Sequence, residues 1–199
     1  MQPDKKGIVQ IYTGHGKGKT TAAIGQAFRA LGHGHKVCMV QFMKTAKRYG
    51  ELHVAEGLDN FEVIQTGRPC PKIQEEACSL EEIRELQDCD DCLECFVDPD
   101  NPSKEDFEWA KIGLATAMEK AKSCDMLILD EIIYALNFCL IKRADVINLI
   151  KNRPASLDII LTGRDAHKEL VELADLVTNM DEVKHHLSKG INAREGIEY

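Results

Sequence analysis

Residues 8–23, IVQIYTGHGKGKTTAA, decide the fold. Ile8 to Thr13 is a β-prone run, Gly14-His15-Gly16-Lys17-Gly18 breaks it, and Lys19 to Leu31 continues with helical spacing. A glycine-rich loop between a strand and a helix is built to hold phosphate. Its glycines let backbone N–H groups turn toward an anion, the helix N-terminus adds partial positive charge, Lys19 reaches phosphate oxygens and the Thr20 hydroxyl can ligate Mg²⁺. The loop departs from the strict pattern G-x-x-x-x-G-K-S/T. The residue five before Gly18 is Thr13, Gly14 comes one place late, and Lys17 adds a cation.

Outward from this loop, the chain alternates. Gly32 and Gly34 supply a helix stop, and Lys36 to Phe42 reads as a second strand. One or two helical turns follow at Glu51 to Glu56, then a third strand at Phe61 to Thr66. Residues 67–101 turn to Pro, Cys, Asp and Glu without a clean strand and read as an insertion, with a short acidic helix at Ser79 to Gln87. Ser103 and Asp106 form a capping box, after which Phe107, Ala110, Leu114, Ala117, Met118 and Ala121 recur at helical spacing and mark a core face. Met126 to Leu129 is a continuous apolar run, as a parallel strand covered on both faces requires, and it ends in Asp130-Glu131. A helix at Ala144 to Asn152 stops at Arg153-Pro154. Leu157 to Thr162 is a further buried strand, Ala166 to Leu173 a further helix, and Val183 to Tyr199 a polar, irregular tail. The pattern predicts one α/β domain over residues 1–199, with a mainly parallel sheet flanked by helices and a Cys-rich insertion at 67–101.

Asp130-Glu131 at a strand's end resembles a Walker B element, whose acids hold Mg²⁺ directly or through water. Beside a phosphate loop the pair points to Mg-ATP. Thr162-Gly163-Arg164 opens at the same carboxyl edge of the sheet, where open α/β folds bind ligands, so Arg164 is a candidate site cation as well as a candidate surface arginine. Gln41, Lys44 and Arg48, just beyond the second strand, have the same status as substrate candidates. His185 and His186 read as solvated surface residues.

The 199 residues carry 25 Lys+Arg against 33 Asp+Glu, a formal charge of -8, with 44% hydrophobic and 29% charged residues. The apolar content disfavours disorder, and no apolar run approaches the roughly 18 residues of a membrane span. The acidic balance argues against a large nucleic-acid footprint, which needs a basic face. With no apolar leader or small-residue cleavage site at the N-terminus, the expectation is a cytoplasmic protein. The eight cysteines are then reduced thiols or metal ligands rather than a disulfide framework. Cys38, Cys124 and Cys139 adjoin apolar runs and read as small buried hydrophobes.

The chain as a whole resembles the ATP:corrinoid adenosyltransferases. The resemblance rests on Tyr12 to Ala23 (YTGHGKGKTTAA), Gly32 to Lys44 (GHGHKVCMVQFMK), Leu129 to Tyr134 (LDEIIY), Arg153-Pro154, Leu161 to Asp165 (LTGRD), Leu173-Ala174-Asp175 and Val183 to Tyr199 (VKHHLSKGINAREGIEY). The late glycine and Lys17 are features of that family's loop. The resemblance implies a RecA-like P-loop fold, commonly dimeric. It also implies transfer of the 5'-deoxyadenosyl group of ATP, bound reversed in its loop, to reduced cobalt with release of triphosphate. By correspondence Gly14, His15, Gly16, Lys17, Gly18, Lys19, Thr20 and Thr21 would hold the triphosphate together with Arg164. Lys19 would neutralise the leaving group, and Thr20 and Glu131 would place Mg²⁺ with support from Asp130. A reductase would supply Co(I). Some relatives carry an aromatic G-F-T-W segment after the third strand, whereas here Gly67 is followed by Arg68-Pro69-Cys70. Phe96, Phe107 and Trp109 are the candidate replacements, although Phe107 also belongs to the core face of its helix. The alternatives are a RecA-like NTP hydrolase, marked by steady phosphate release, and a metal- or redox-responsive nucleotide-binding regulator, marked by metal-dependent partner binding without turnover.

Cys89-x-x-Cys92-x-x-Cys95 brings three thiols into a short stretch, and Cys70 or Cys78 supplies a fourth. Four thiolates suit tetrahedral Zn²⁺, and a Cys-x-x-Cys run with a remote Cys-Pro, here Cys70-Pro71, is also a four-iron cluster pattern. The competing reading is reduced thiols in a loop kept soluble by Asp88, Asp90, Asp91 and Glu94. The metal reading predicts near-stoichiometric zinc, or iron with sulfide and a visible charge-transfer band, in anaerobically purified protein. Absence of both, with all five thiols freely titratable in the native protein, would contradict it.

Overall fold

Met126–Asp130 is buried at every residue and so is Val37–Phe42, which is possible only for strands covered on both faces. The computed structural model describes residues 6–45, 49–69 and 95–199. Their strands are β1 Val9–Thr13, β2 Val37–Phe42, β3 Phe61–Thr66, β4 Met126–Asp130, β5 Asp158–Thr162 and β6 Leu176–Asn179. The helices are α1 Lys19–Gly32, α2 Gly50–Glu56, α3 Lys104–Lys120, α4 Ile132–Asn137, α5 Arg143–Lys151 and α6 Lys168–Leu173. The strands form one six-stranded sheet in the order β3-β2-β4-β5-β1-β6, and each pairing is parallel. All carboxyl ends therefore open on one edge. β5 stands between the strand that feeds the glycine loop and the strand that ends in the acid pair.

Side chains alternate across each strand, so one sequence builds two core layers. Leu127 and Leu129 join Val40, Phe42, Ile159 and Leu161 on the face covered by α3, α4 and α5. Ile128 joins Met39 and Ile160 on the face covered by α1, where Ala23, Ala27 and Ala30 keep the helix close to the sheet. The Ser103 hydroxyl accepts a hydrogen bond from the Asp106 N–H, and the Asp106 carboxylate accepts one from the Ser103 N–H, so the expected capping box starts α3. The predicted core face is present: Ala110, Leu114, Ala117 and Ala121 are buried, with Phe107 and Met118 packed against them.

Among the described residues the expected strands and helices are present, with ends shifted by one or two residues, but two elements had no clear sequence signal. α4 begins immediately after β4, and its run of Ile132, Ile133, Ala135 and Leu136 is buried, so it merges with the apolar strand instead of showing a separate helical contrast. β6 has four exposed residues and no alternation; it is held by parallel pairing to β1. There the Val9 N–H donates to the Asp175 carboxylate at 2.8 Å, and the Asp175 N–H donates to the Val9 carbonyl at 2.8 Å. Cys38 is buried and Cys124 half-buried, whereas Cys139 is exposed, because the chain turns outward there with a φ of 58° just after α4. His185 and His186 are only half-buried and stack on each other at 4.4 Å. Cys70, Cys78, Cys89 and Cys92, the predicted acidic helix and most of the proposed insertion lie outside the described residues. Among the described residues no helix is long and apolar enough to cross a membrane.

Gly113 is where α3 touches β2. A Cβ there would stand 2.7 Å from Phe42 Cε1 and closer still to Thr66 Oγ1. Gly113→Ala should therefore lower stability by about 1–3 kcal/mol, against the gain that alanine normally brings to a helix. The urea midpoint measures this; an unchanged or higher midpoint would show that α3 can lift off the sheet at no cost.

Candidate active site

β1 delivers the glycine loop to the carboxyl edge, and the segment after β6 fixes it from below. The Gly16 N–H donates to the Met180 carbonyl at 2.7 Å, and the Met180 N–H donates to the Thr13 carbonyl at 2.8 Å. Gly14 has a φ of 101°, and a Cβ there would lie 2.6 Å from Asn179 Oδ1, so both its backbone angle and its surroundings require glycine. Lys19 is buried, and its Nζ donates to the carbonyls of Gly14 and Gly16 at 2.8 Å each. Burial lowers the Lys19 pKa; Glu131 and Asp130 oppose that shift and Arg164 reinforces it.

Asp130 is fully buried and collects three side-chain donors from three elements. Thr20 Oγ1 of α1 donates to Oδ1 at 2.8 Å, and Thr162 Oγ1 of β5 donates to the same oxygen at 2.7 Å. Lys44 Nζ, beyond β2, donates to Oδ2 at 2.8 Å and also lies 4.9 Å from the centre of the Tyr49 ring. Burial alone would lower the Lys44 pKa, but the charge and hydrogen bond of Asp130 outweigh it and the net shift is upward. The Thr162 hydroxyl also accepts the Glu131 N–H at 2.9 Å, which ties the acid pair to β5. Glu131 has a φ of 61°, a left-handed conformation uncommon for a residue with a side chain. Its Oε2 is a buried oxygen with no hydrogen-bond partner. Desolvation is the main cause that raises its pKa to about 7; Asp130 adds to the rise, while Lys44, Lys19 and Arg164 oppose it.

A buried, unpartnered carboxylate oxygen beside the Asp130 carboxylate and the Thr20 hydroxyl is a donor set that fits Mg²⁺, a hard cation with a preference for oxygen ligands. Thr20, Thr21, Lys44 and Glu131 line one cavity of about 480 Å³, together with Ile24, Phe28, Tyr49, Val54 and the C-terminal residues Gly196 to Tyr199. The cavity thus combines charged groups that suit polyphosphate with apolar groups that suit a ring.

The remaining predicted residues are placed more variously. Lys17 lies 3.6 Å from Glu198 and donates to the Ile197 carbonyl at 3.4 Å. His15 Nε2 is 3.1 Å from Asp165 Oδ1. Arg164 is exposed, with its guanidinium 5.9 Å from the centre of the Tyr134 ring. Gln41 is fully buried: its amide donates to Glu51 Oε1 at 2.7 Å and accepts from Gln65 Nε2 at 3.1 Å, so it joins β2 to α2 and β3. Arg48 lies outside the described residues. Among the described residues no group of three or more His, Cys, Asp or Glu side chains is arranged to hold a metal. Of the aromatic candidates, Phe96 is exposed, Trp109 is half-buried and Phe107 packs on the core.

A family model described as ATP:corrinoid adenosyltransferase BtuR/CobO/CobP matches residues 5–199. The chain belongs to this family. It is 35% identical to the corrinoid adenosyltransferase of Escherichia coli K12 over 98% of this chain and 87% of the relative. It is 33% identical to the corrinoid adenosyltransferase CobA of Salmonella typhimurium with the same coverage. A KaiC-like protein from Pyrococcus horikoshii OT3 shares the fold, with a TM-score of 0.50 at 17% identity over 90% of this chain and 75% of that one. The α/β fold with its mainly parallel sheet and the transferase class expected from the sequence are thereby established.

Within this family member, Thr162 and the C-terminal tail are site components that residue-by-residue reading missed. Thr162 had a signal, because it ends a strand adjacent to the acid-bearing one. The polar tail had none in periodicity or composition, although it formed part of the family resemblance.

The raised Glu131 pKa has a definite stability consequence in Mg²⁺-free buffer. A carboxyl raised from 4.5 to about 7 holds its proton more tightly in the folded chain, so its contribution is fully present below pH 4.5 and is lost as pH rises through 7. Glu131→Gln should gain thermal stability relative to the unsubstituted protein between about pH 5 and about pH 8. An equal difference in Tm at both pH values would remove the buried-carboxylate assignment.

Proposed function

We propose that this protein transfers the 5'-deoxyadenosyl group of ATP to the Co(I) centre of a reduced corrinoid and releases triphosphate. The observation that carries the reading is the convergence of Thr20, Lys44 and Glu131 on one cavity, around the buried Asp130, in a chain of the corrinoid adenosyltransferase family. In this reaction a cobalt electron pair forms the bond to C5', and the electrons of the broken C5'–O bond leave with the triphosphate. Co(I) is already a strong nucleophile, so no general base is needed. The protein's task is to align C5' and stabilise the departing polyanion.

The residues divide that work. The Gly14–Thr21 loop presents backbone N–H groups and Lys19 to the triphosphate, with Lys17 and Arg164 as additional cations. Thr20 and Glu131, supported by Asp130, would hold Mg²⁺, which when bound neutralises charge on the leaving group. Lys44 holds the Asp130 carboxylate in place through its 2.8 Å contact. The reading includes a homodimer, a reductase that supplies Co(I), and a cytoplasmic location; the family resemblance supports these. It also includes one domain over residues 1–199 with a Cys-rich insertion at 67–101 that carries Zn²⁺ or an iron–sulfur cluster, supported by the cysteine spacing.

Lys19→Ala should cut adenosylation by roughly 10²-fold or more, since it removes the one buried cation of the loop from the developing charge. The assay follows the disappearance of the Co(I) spectrum under anaerobic conditions with Mg-ATP. Turnover by Lys19→Ala equal to that of the unsubstituted protein at saturating ATP would show that this loop is not the working phosphate site.

A further inference from the structure

The C-terminal tail lines the same cavity as the phosphate-binding residues. Its position is fixed by Glu198, whose carboxylate accepts hydrogen bonds from the Arg194 backbone N–H at 2.9 Å and from Arg194 Nε at 3.2 Å. The Glu198 N–H donates to the Arg194 carbonyl at 2.9 Å, and the Gly196 N–H donates to the Tyr199 carbonyl at 2.8 Å, so the end of the chain is a closed turn. This turn docks on the phosphate loop through Lys17, which is 3.6 Å from the Glu198 carboxylate and also donates to the Ile197 carbonyl at 3.4 Å. Arg194 holds the Glu198 carboxyl down to about 2, so Glu198 is an anion at any working pH.

The cavity has a direction. Thr20, Ile24 and Phe28 lie on one face of α1 at four-residue spacing, so Ile24 and Phe28 stand about 6 and about 12 Å further along the helix than Thr20. The wall therefore changes from hydroxyl to apolar with distance from the phosphate anchor. Phe28, Val54 and Ile197 come from α1, α2 and the tail, and they remain 58%, 43% and 58% exposed although they line the same cavity. Large apolar side chains left open beside a charged anchor are the composition of a ligand wall rather than of a core.

We propose that the tail is the wall for the nucleoside of ATP, and that Glu198 is a positioning residue that docks this wall on the phosphate loop through Lys17. The inference rests on the adenosyltransferase reading and adds to it the place of the nucleoside. The cavity's volume of about 480 Å³ falls in the range of small-molecule sites. Because the Lys17–Glu198 pair is partly exposed, it contributes little to global stability, so loosening it perturbs the site without unfolding the protein.

Calorimetry with two probes, Mg-ATP and inorganic tripolyphosphate, separates the wall from the anchor. In the variants Glu198→Gln and Tyr199→Ala the Kd for ATP should rise roughly tenfold while that for tripolyphosphate stays within about twofold, and KM for ATP should rise by more than kcat falls. Equal weakening of both probes would overturn the proposal, since the tail would then act on phosphate binding. An unchanged ATP affinity with a raised KM for the corrinoid would also overturn it. Absence of ATP binding by the unsubstituted protein would instead overturn the adenosyltransferase reading on which the inference stands.

Discussion

Asp130 is fully buried at the end of β4, and its carboxylate is shared by Thr20 of α1, Thr162 of β5 and Lys44 beyond β2. A buried carboxylate is costly unless charge and hydrogen bonds compensate it, and here both are present. The consequence is mechanical as well as electrostatic. The end of β4 is tied to the start of α1, to the end of β5 and to the segment after β2, because Thr20, Thr162 and Lys44 all donate to the Asp130 carboxylate. The phosphate loop is fixed at its helical end by Thr20 and at its opposite end by the Met180 backbone. Glu131 follows directly in a left-handed conformation, and its buried Oε2 has no protein partner. The node thus satisfies one acid completely and leaves the next with free coordinating capacity, which suits a pair in which one acid organises the site and the other meets a cation.

The sheet and its helices were legible because the physical signals were local. A fully apolar run such as Met126 to Leu129 specifies a doubly covered parallel strand, and Ser103 with Asp106 specifies a helix start, whatever lies elsewhere in the chain. The elements that escaped depend on distant partners: β6 is a strand only because β1 offers a free edge, and α4 is masked by the apolar strand it follows. The site divides in the same way. Lys19, Thr20, Asp130 and Glu131 belong to contiguous motifs and were readable. Thr162 carries a signal as the end of a buried strand although its partner is 32 positions away, whereas Glu198 acquires its role from a residue 181 positions away and no local pattern reveals it. Gln41 shows the opposite outcome, because a polar residue placed at the ligand edge by its strand is used internally to hold Glu51 and Gln65.

An adenosyl transfer to Co(I) asks less of acid–base chemistry than of charge and alignment, and the site is built accordingly. Lys19, Lys44 and Lys17 approach from the loop and from β2, while the near-neutral pKa of Glu131 reflects how little water reaches the acid pair. A low local dielectric strengthens each of these interactions with a departing polyanion. The segment that follows β3 begins with Gly67 and Arg68. That arginine donates to Asp106 at 3.0 Å and so anchors the start of α3 instead of presenting an aromatic face.

The central claim is that the cobalt attacks C5' and triphosphate leaves intact. Phosphorus NMR of a reaction containing the protein, Mg-ATP and a chemically reduced corrinoid tests it most directly. The account predicts one triphosphate for each corrinoid adenosylated, with no ADP formed in step with product. ADP and inorganic phosphate accumulating while the corrinoid stays unmodified would contradict it and make the protein a nucleotide hydrolase.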